Sequence, residues 1–329
     1  MSTNKRNFDT MNNDFNEEPE SIETKLHKAI FSGNNKLIKN IVKNILLLDE
    51  TEQKKVINSK TIEGFTPLHI TIMTQNKYAF KIISSNKHVI YDLADNNGFT
   101  PIYIATALQD IDILEFFFDG QFFMQLTIEI ETKLPLFVAI DLENMNILEL
   151  FIRSRYVNHI LDFVDTKPNA MSPITYAITK NKFKAFELIF KYSSGKQLQK
   201  VSCGGISPIS EAIRISNVKV IKMLISKAGA DIIDKTMIGY NRVIFEVLKL
   251  EPSIALKIFT CMAQHYVDFD VKDDMGDHLL IHAIKQKNNA LFDLIIQQQL
   301  EEFIYDEAYE YAVSEEYTYG IEKLYSVRT

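Results

Sequence analysis

The 329-residue chain has no tryptophan and only two cysteines, Cys203 and Cys261. Two thiols cannot build a disulfide framework or a four-ligand zinc cluster. No apolar run approaches the roughly 18 residues that a membrane-spanning helix needs. The opening stretch MSTNKRNFDTMNNDFNEEPE has no apolar h-region, so no secretory leader is expected. Positive charge is also in short supply, with 36 Lys+Arg against 43 Asp+Glu and a net charge of −7. That balance argues against a general binder of phosphate backbones. No nucleic acid and no membrane is therefore expected as a partner, and the chain is expected in the cytoplasm. What is present is 46% hydrophobic residues, enough to bury a sizeable core and to exclude wholesale disorder.

Internal repetition decides the reading. Pro67, Pro101 and Pro135 lie 34 residues apart, and Pro173 and Pro208 follow after 38 and 35. Similar phrases surround them: Thr66-Pro67-Leu68-His69, Thr100-Pro101-Ile102-Tyr103, Ser172-Pro173-Ile174-Thr175 and Ser207-Pro208-Ile209-Ser210. Gly64, Gly98 and Gly205 stand two residues before the hydroxyl residue. The register continues through Gly239 and Gly276, where the phrases are worn down to Asn241-Arg242 and His278-Leu279. An earlier unit begins at Leu26-His27-Lys28-Ala29.

A Thr or Ser before Pro is a helix N-cap followed by the first helical position: the hydroxyl accepts an orphan amide, and proline's fixed φ suits the first turn. Four residues on, Ala105, Ala139, Ala177 and Ala212 are small enough for helices to approach closely. Twelve residues past each proline position begins an apolar pair, with a second pair four residues later. Examples are Leu37, Ile38, Ile41, Val42 and Ile147, Leu148, Phe151, Ile152. Across eight units 31 of 32 such positions are apolar, Ser84 being the exception, against a 46% background. This is the stripe of a second helix buried on one side.

On these residues the sequence resembles the ankyrin repeat family. The likeness is carried by Gly64–His69 (Gly-x-Thr-Pro-Leu-His), Gly98–Pro101 and the Gly229-Ala230-Asp231 ending. It implies an all-α ankyrin-repeat solenoid of about eight helix–turn–helix repeats with a divergent C-terminal helical cap. It further implies a projecting hairpin-like loop between units, a concave face, and binding of another protein without catalysis or cofactors, by a monomeric array. His27 and His69 fall at the family's His position, where the ring is expected to bond locally and steady the hairpin. The expected division is a disordered tail over 1–20, the array over 21–299 and capping helices over 300–329. Beyond Leu300, eight acidic residues face only Lys323 and Arg328, and six of the 14 tyrosines are found there. Such a segment serves either as a polar cap or as an acidic, aromatic dock for a basic partner.

Several residues depart from the pattern. Leu134 and His278 replace the capping hydroxyl, and Glu246 stands where the small Ala belongs, so that repeat is expected to be splayed or its first helix rotated. An extra eight residues around Leu46–Glu52 are expected as an extended helix and polar loop, a candidate for contacts.

Catalytic motifs are sparse. His278 and His282 have the i, i+4 spacing of an H-E-x-x-H zinc site, but Leu279 stands where the Glu would be. Gly195-Lys196-Gln197 lacks the rest of a phosphate loop. Neither cysteine sits in a recognisable nucleophile motif with a histidine, and Asp49, Glu50 and Glu52 read as a solvated charge run. No catalytic residue, metal or cofactor is expected.

The binding expectation falls on the residue after the hairpin glycine slot: Phe65, Phe99, Lys133, Met171, Ile206, Tyr240 and Asp277. Five of these seven are large and apolar, which at a solvent-facing edge makes a protein-binding hot spot. Met73, Asn96, Asn97 and Glu63 would form its rim. A pathogen or viral effector working in a host cytosol, and a regulatory subunit of an enzyme, are the alternative roles.

Overall fold

The computed structural model describes residues 21–119, 135–154, 157–162, 171–202, 205–238, 241–298 and 300–328. The expected tail over 1–20 lies outside them, as do Lys133, Leu134, Cys203 and Tyr240. The chain divides into two units, 1–135 and 136–329.

The first unit is helical: α1 (Ile22–Phe31), α2 (Asn35–Ile45), α3 (Glu50–Ile57), α4 (Pro67–Met73), α5 (Lys77–Ser84), α6 (Pro101–Leu108) and α7 (Ile111–Asp119). Helix α4 packs between α1 and α6 in one row, and α2 lies beside α5 in a second. The second unit repeats the scheme with the pairs α8 (Pro135–Leu142) and α9 (Met145–Arg153), α11 (Pro173–Thr179) and α12 (Phe183–Tyr192), and α14 (Pro208–Arg214) and α15 (Val218–Ala228). It continues with α17 (Val243–Val247) and α18 (Pro252–Gln264), α19 (Leu279–Lys285) and α20 (Asn289–Ile296), and α21 (Glu302–Ser314) and α22 (Thr318–Arg328). Short helices α10 (Val157–Asp162), α13 (Gly195–Leu198) and α16 (Asp231–Asp234) fill links between pairs. The only strands among the described residues, β1 (Met237–Ile238) and β2 (Asn241–Arg242), form a two-residue antiparallel ladder. No described helix is long and apolar enough to cross a membrane.

Local chemistry sets the helix ends. Thr66, Thr100, Ser172 and Ser207 each cap the helix that starts at the following proline, accepting an amide from three residues on. The second helices have their own caps: Asn34, Asn76, Asn144, Asn217 and Asn288 accept amides at the starts of α2, α5, α9, α15 and α20. The residue before each of these asparagines has positive φ, as Gly33, Gln75, Glu143, Ser216 and Lys287 show. The asparagine amide then reaches back five residues, from Asn76 to the Thr71 carbonyl at 3.0 Å and from Asn217 to Ala212 at 3.0 Å. That is the Schellman closure of one helix joined to the N-cap of the next.

The second-helix stripe is the core. Phe151, Phe186, Phe259 and Phe292 are fully buried, each contributing roughly 1.5–3 kcal/mol. Leu37 is the exposed member of the stripe, at 42%, because the first described pair has no earlier pair to cover it. The insertion after α2 is not an extension of that helix with a polar loop. The chain turns over Leu46–Leu48 and starts a separate helix, α3, capped by Asp49 with Glu50 and Glu52 in its first turn and with Val56 and Ile57 buried. The acidic run thus serves the positive end of a helix.

Of the two geometries open to the Glu246 repeat, the rotated one occurs. Helix α17 takes Arg242, in the proline register, as its N-cap and begins one residue late. That shift turns Glu246 outward to pair with Lys249 at 2.6 Å while Phe245 and Val247 are buried.

Candidate interaction surface

Between helix pairs, one five-residue turn recurs at Thr61–Phe65, Asp95–Phe99 and Asp273–Asp277, and the same bonds join Ser202 to Ile206. The first residue's amide donates to the fifth residue's carbonyl at 2.9–3.0 Å in each. The fifth residue's amide returns to the first side chain, at 3.2 Å on Thr61, 2.8 Å on Asp95, 3.1 Å on Ser202 and 2.9 Å on Asp273. The fourth residue is a glycine with φ between +76° and +88°. At Gly64 the requirement is doubled, because a Cβ would also lie 2.6 Å from the Asn96 amide nitrogen of the next turn.

In the first unit adjacent turns are stitched together. Asn96 donates its amide to the Glu63 carbonyl at 3.1 Å and its side-chain Nδ2 to the Ile62 carbonyl at 2.7 Å. Lys60 Nζ reaches the Ala94 carbonyl at 2.7 Å. His69, fully buried, accepts the Thr66 amide on Nδ1 at 3.1 Å and donates from Nε2 to the Phe99 carbonyl at 3.0 Å. These partners fix the neutral Nε2–H tautomer. Burial pushes the ring's pKa down to about 4, against the bond to Phe99 and the Asp95 charge, which favour the proton. His27 does the equivalent one turn earlier, with Nε2 3.1 Å from the Ser59 carbonyl. The local role expected for both histidines is what the structure shows.

The residue after the glycine is not an open edge. Phe65, Phe99, Met171, Ile206 and Asp277 are all half-buried. Phe65, Phe99, Ile206 and Asp277 are each held at both amide and carbonyl, and the side chains of Phe65, Phe99 and Asp277 lean on their own helices. Phe99 stacks on Tyr103 with centroids 4.4 Å apart, and Phe65 tilts toward His69 at 6.2 Å. Met171 Sδ meets the Thr179 hydroxyl at 3.5 Å, and Asp277 pairs with Lys285. Of the rim, Asn96 and Asn97 are exposed and Met73 and Glu63 half-buried.

The open apolar positions are at the turn tips, which the sequence reading passed over. Ile62 is 93% exposed and Met275 is 82% exposed. The signal was available, since both occupy tip positions where the Asp95 turn carries asparagines.

Among the described residues, groups that could do chemistry do not converge on an open site. His278 and His282 point to different partners: His282 Nε2 bonds Asp273 at 2.8 Å, whereas His278 lies outside the helix, at its N-cap. Asp273, Asp277 and His282 bring ligand atoms within 4.8 Å of one another, but the Lys285 ammonium already sits on Asp277. Burial works against the charge on Asp273, yet bonds from the Asp277 amide, His282 and the Met275 amide hold its carboxyl below the usual range. Cys261 does have a histidine near it, His265, with Nδ1 3.9 Å from Sγ and 2.9 Å from the Cys261 carbonyl. Burial pushes this thiol up, away from the reactive thiolate. A 160 Å³ cleft between α12 and α15, lined by Phe183, Phe186, Asn217 and Met223 among others, touches none of these groups.

Residues 26–126 match the family model for ankyrin repeats, in three copies. Residues 26–126 are ankyrin repeats. Such repeats generally mediate protein–protein interaction, and the fold is typically a non-enzymatic scaffold. Among solved structures, the ankyrin repeat domain of Bcl-3, a unique member of the IkappaB protein family, is 13% identical. That match covers 85% of this chain and 100% of the other, at a TM-score of 0.42. The human ASB11 ankyrin repeat domain is 12% identical over 86% of this chain and 98% of its own, at a TM-score of 0.34. No curated protein matches the sequence.

Proposed function

We propose that this ankyrin-repeat chain is a non-enzymatic adaptor that holds another protein against the turn side of its first unit. The observation that carries the reading is Ile62. An isoleucine 93% exposed is costly in water, and its own carbonyl is pinned by Asn96 Nδ2. An apolar anchor on a pre-ordered backbone loses little entropy when a partner covers it. The half-buried Phe65 and Phe99 close the two turns that Asn96 joins, and Asn96, Asn97 and Glu63 supply a polar rim. In the second unit Met171, Ile206 and Asp277 belong to the same surface type, with Met275 as its open tip; Lys133 and Tyr240 share the position in the repeat by sequence alone.

We further assign residues 21–299 to the array and 300–329 to a cap. In support, Tyr317 and Tyr319 turn their hydroxyls inward to Asn289 (2.6 Å) and Asp293 (2.5 Å), while all eight acidic side chains of the segment are exposed. The adaptor works as a monomer in the cytoplasm, with no cofactor and without nucleic acid.

The test is capture from native lysate, comparing the intact chain with an Ile62→Asp, Phe65→Ala, Phe99→Ala variant whose helicity matches by circular dichroism. A partner kept by the first and lost by the folded second supports the surface. A partner retained equally by both refutes it.

A further inference from the structure

His278 is the odd member of its register. It is the N-cap of α19 but makes no capping bond, where Thr66, Thr100, Ser172 and Ser207 all do. Its side chain is 3% exposed, and neither Nδ1 nor Nε2 has a hydrogen-bond partner. Asp270 Oδ1 lies 3.6 Å from Nδ1 and Glu307 Oε2 lies 3.6 Å from Nε2. Both are beyond hydrogen-bonding reach, and Glu307 is shared with Lys272 at 3.7 Å. The backbone is fixed by a bridge to Lys272. Helix α21 covers the ring, with the Phe303 ring meeting it edge-on at 5.7 Å and Glu307 one turn further along.

A neutral imidazole in this place keeps one N–H and one lone pair from water without compensation. An imidazolium keeps two N–H donors from water, which costs more. Only exposure of the ring hydrates them, and exposure means moving Phe303 and Glu307 aside. We propose that His278 is a proton-operated release: its protonation in mildly acidic solution undocks α21, and α22 with it, from the 270–278 turn.

The geometry makes the pair separable. Helices α21 and α22 pack most extensively on each other, and each rests on one helix of the pair before, α19 and α20, so they form a natural unit of local opening. The charged groups facing the ring are Asp270, Lys272 and Asp277 from the turn and Glu307 from α21. Burial and Lys272 oppose the proton, the three carboxylates favour it, and the balance holds the docked ring below the ordinary histidine range. The undocked ring titrates near the free value of about 6.5 and binds more protons. Opening is therefore favoured as pH falls through about 6.5 and levels off below the docked ring's own pKa.

The experiment is hydrogen exchange on the full chain at pH 7.5 and 5.0, corrected for intrinsic rates, in wild type and His278→Phe. The phenylalanine keeps the ring's bulk against Phe303 and removes its titration. In wild type, protection over 302–328 should fall several-fold at pH 5.0 relative to α14 and α15, and in His278→Phe that relative loss should vanish. An equal acid-induced loss in both proteins, or none in wild type, overturns the proposal. Should the variant fail to fold, proton NMR of the His278 ring decides. Its midpoint should lie below that of free histidine, move lower still in Glu307→Gln, and coincide with shifts of α21 amides. A free-histidine midpoint, or one that Glu307→Gln leaves in place, overturns it.

Discussion

His69 and His278 stand three positions apart in the same repeat phrase, and both are buried. The first has both ring nitrogens in use, binding Thr66 of its own helix and Phe99 of the next turn; the second has neither in use. The difference lies in what surrounds them rather than in burial. A hydroxyl residue at the cap gives His69 a donor to accept from. A histidine placed in the cap position itself finds only carboxylates too distant to bond. One ring is part of the fastening between repeats, and the other is a polar group that the fold tolerates.

The contrast breaks most visibly at the bonded ring. His69→Ala should cost the first unit about 3–4 kcal/mol, from lost packing and from the stranded Thr66 amide and Phe99 carbonyl. Urea-dependent hydrogen exchange over 61–108 measures it, and a cost under 1 kcal/mol would show that the fastening is decorative. Acid probes the same ring without mutation. With the folded pKa depressed to about 4, His69 stabilisation is complete above about pH 6.5 and is lost as pH falls toward 4. Linkage puts the loss near 2 kcal/mol at pH 5. Denaturation midpoints at pH 7 and pH 5, in wild type and His69→Gln, check the sign and the source. Gly64→Ala comes next, at about 1–2 kcal/mol, because it strains a left-handed turn and pushes on Asn96. The same exchange experiment should report it as faster opening of the Thr61–Phe65 turn. Smallest is His278→Leu at pH 7, which should change stability by less than about 1 kcal/mol, since no bond is lost. A larger loss by urea denaturation would mean the ring is better satisfied than its geometry shows.

Much of the fold was legible because repetition multiplies weak signals. Thr-Pro announced the caps of α4 and α6, Ser-Pro those of α11 and α14, and the apolar stripe announced the second helices down to Phe292. Less legible was what varies between repeats. The asparagine caps of the second helices recur as regularly as the prolines, but Asn is common in this chain and its spacing hides among loop residues. Helix α3 escaped because a Leu-rich turn followed by acidic residues reads equally as a fraying helix end. The late start of α17 was half legible, since Glu246 flagged the repeat without saying which way it would turn. For the surface, the alternation of exposed and leaning side chains in a five-residue turn depends on backbone closure, which spacing does not encode. Phe65 and Phe99 therefore looked open, and Ile62 went unnoticed.

The linkers inside each helix pair also bear on how the protein could be improved. Gln75, Gln109, Glu143, Ser216, Lys287 and Glu316 all adopt φ of +49° to +59°, a conformation in which a side chain is a burden. Evolution has left these six places unoptimised, each independent of its neighbours, remote from the turn tips and outside the packed stripe. They amount to a set of separate adjustments by which heat resistance could be raised step by step, with glycine or asparagine, while the partner-facing chemistry stays as it is.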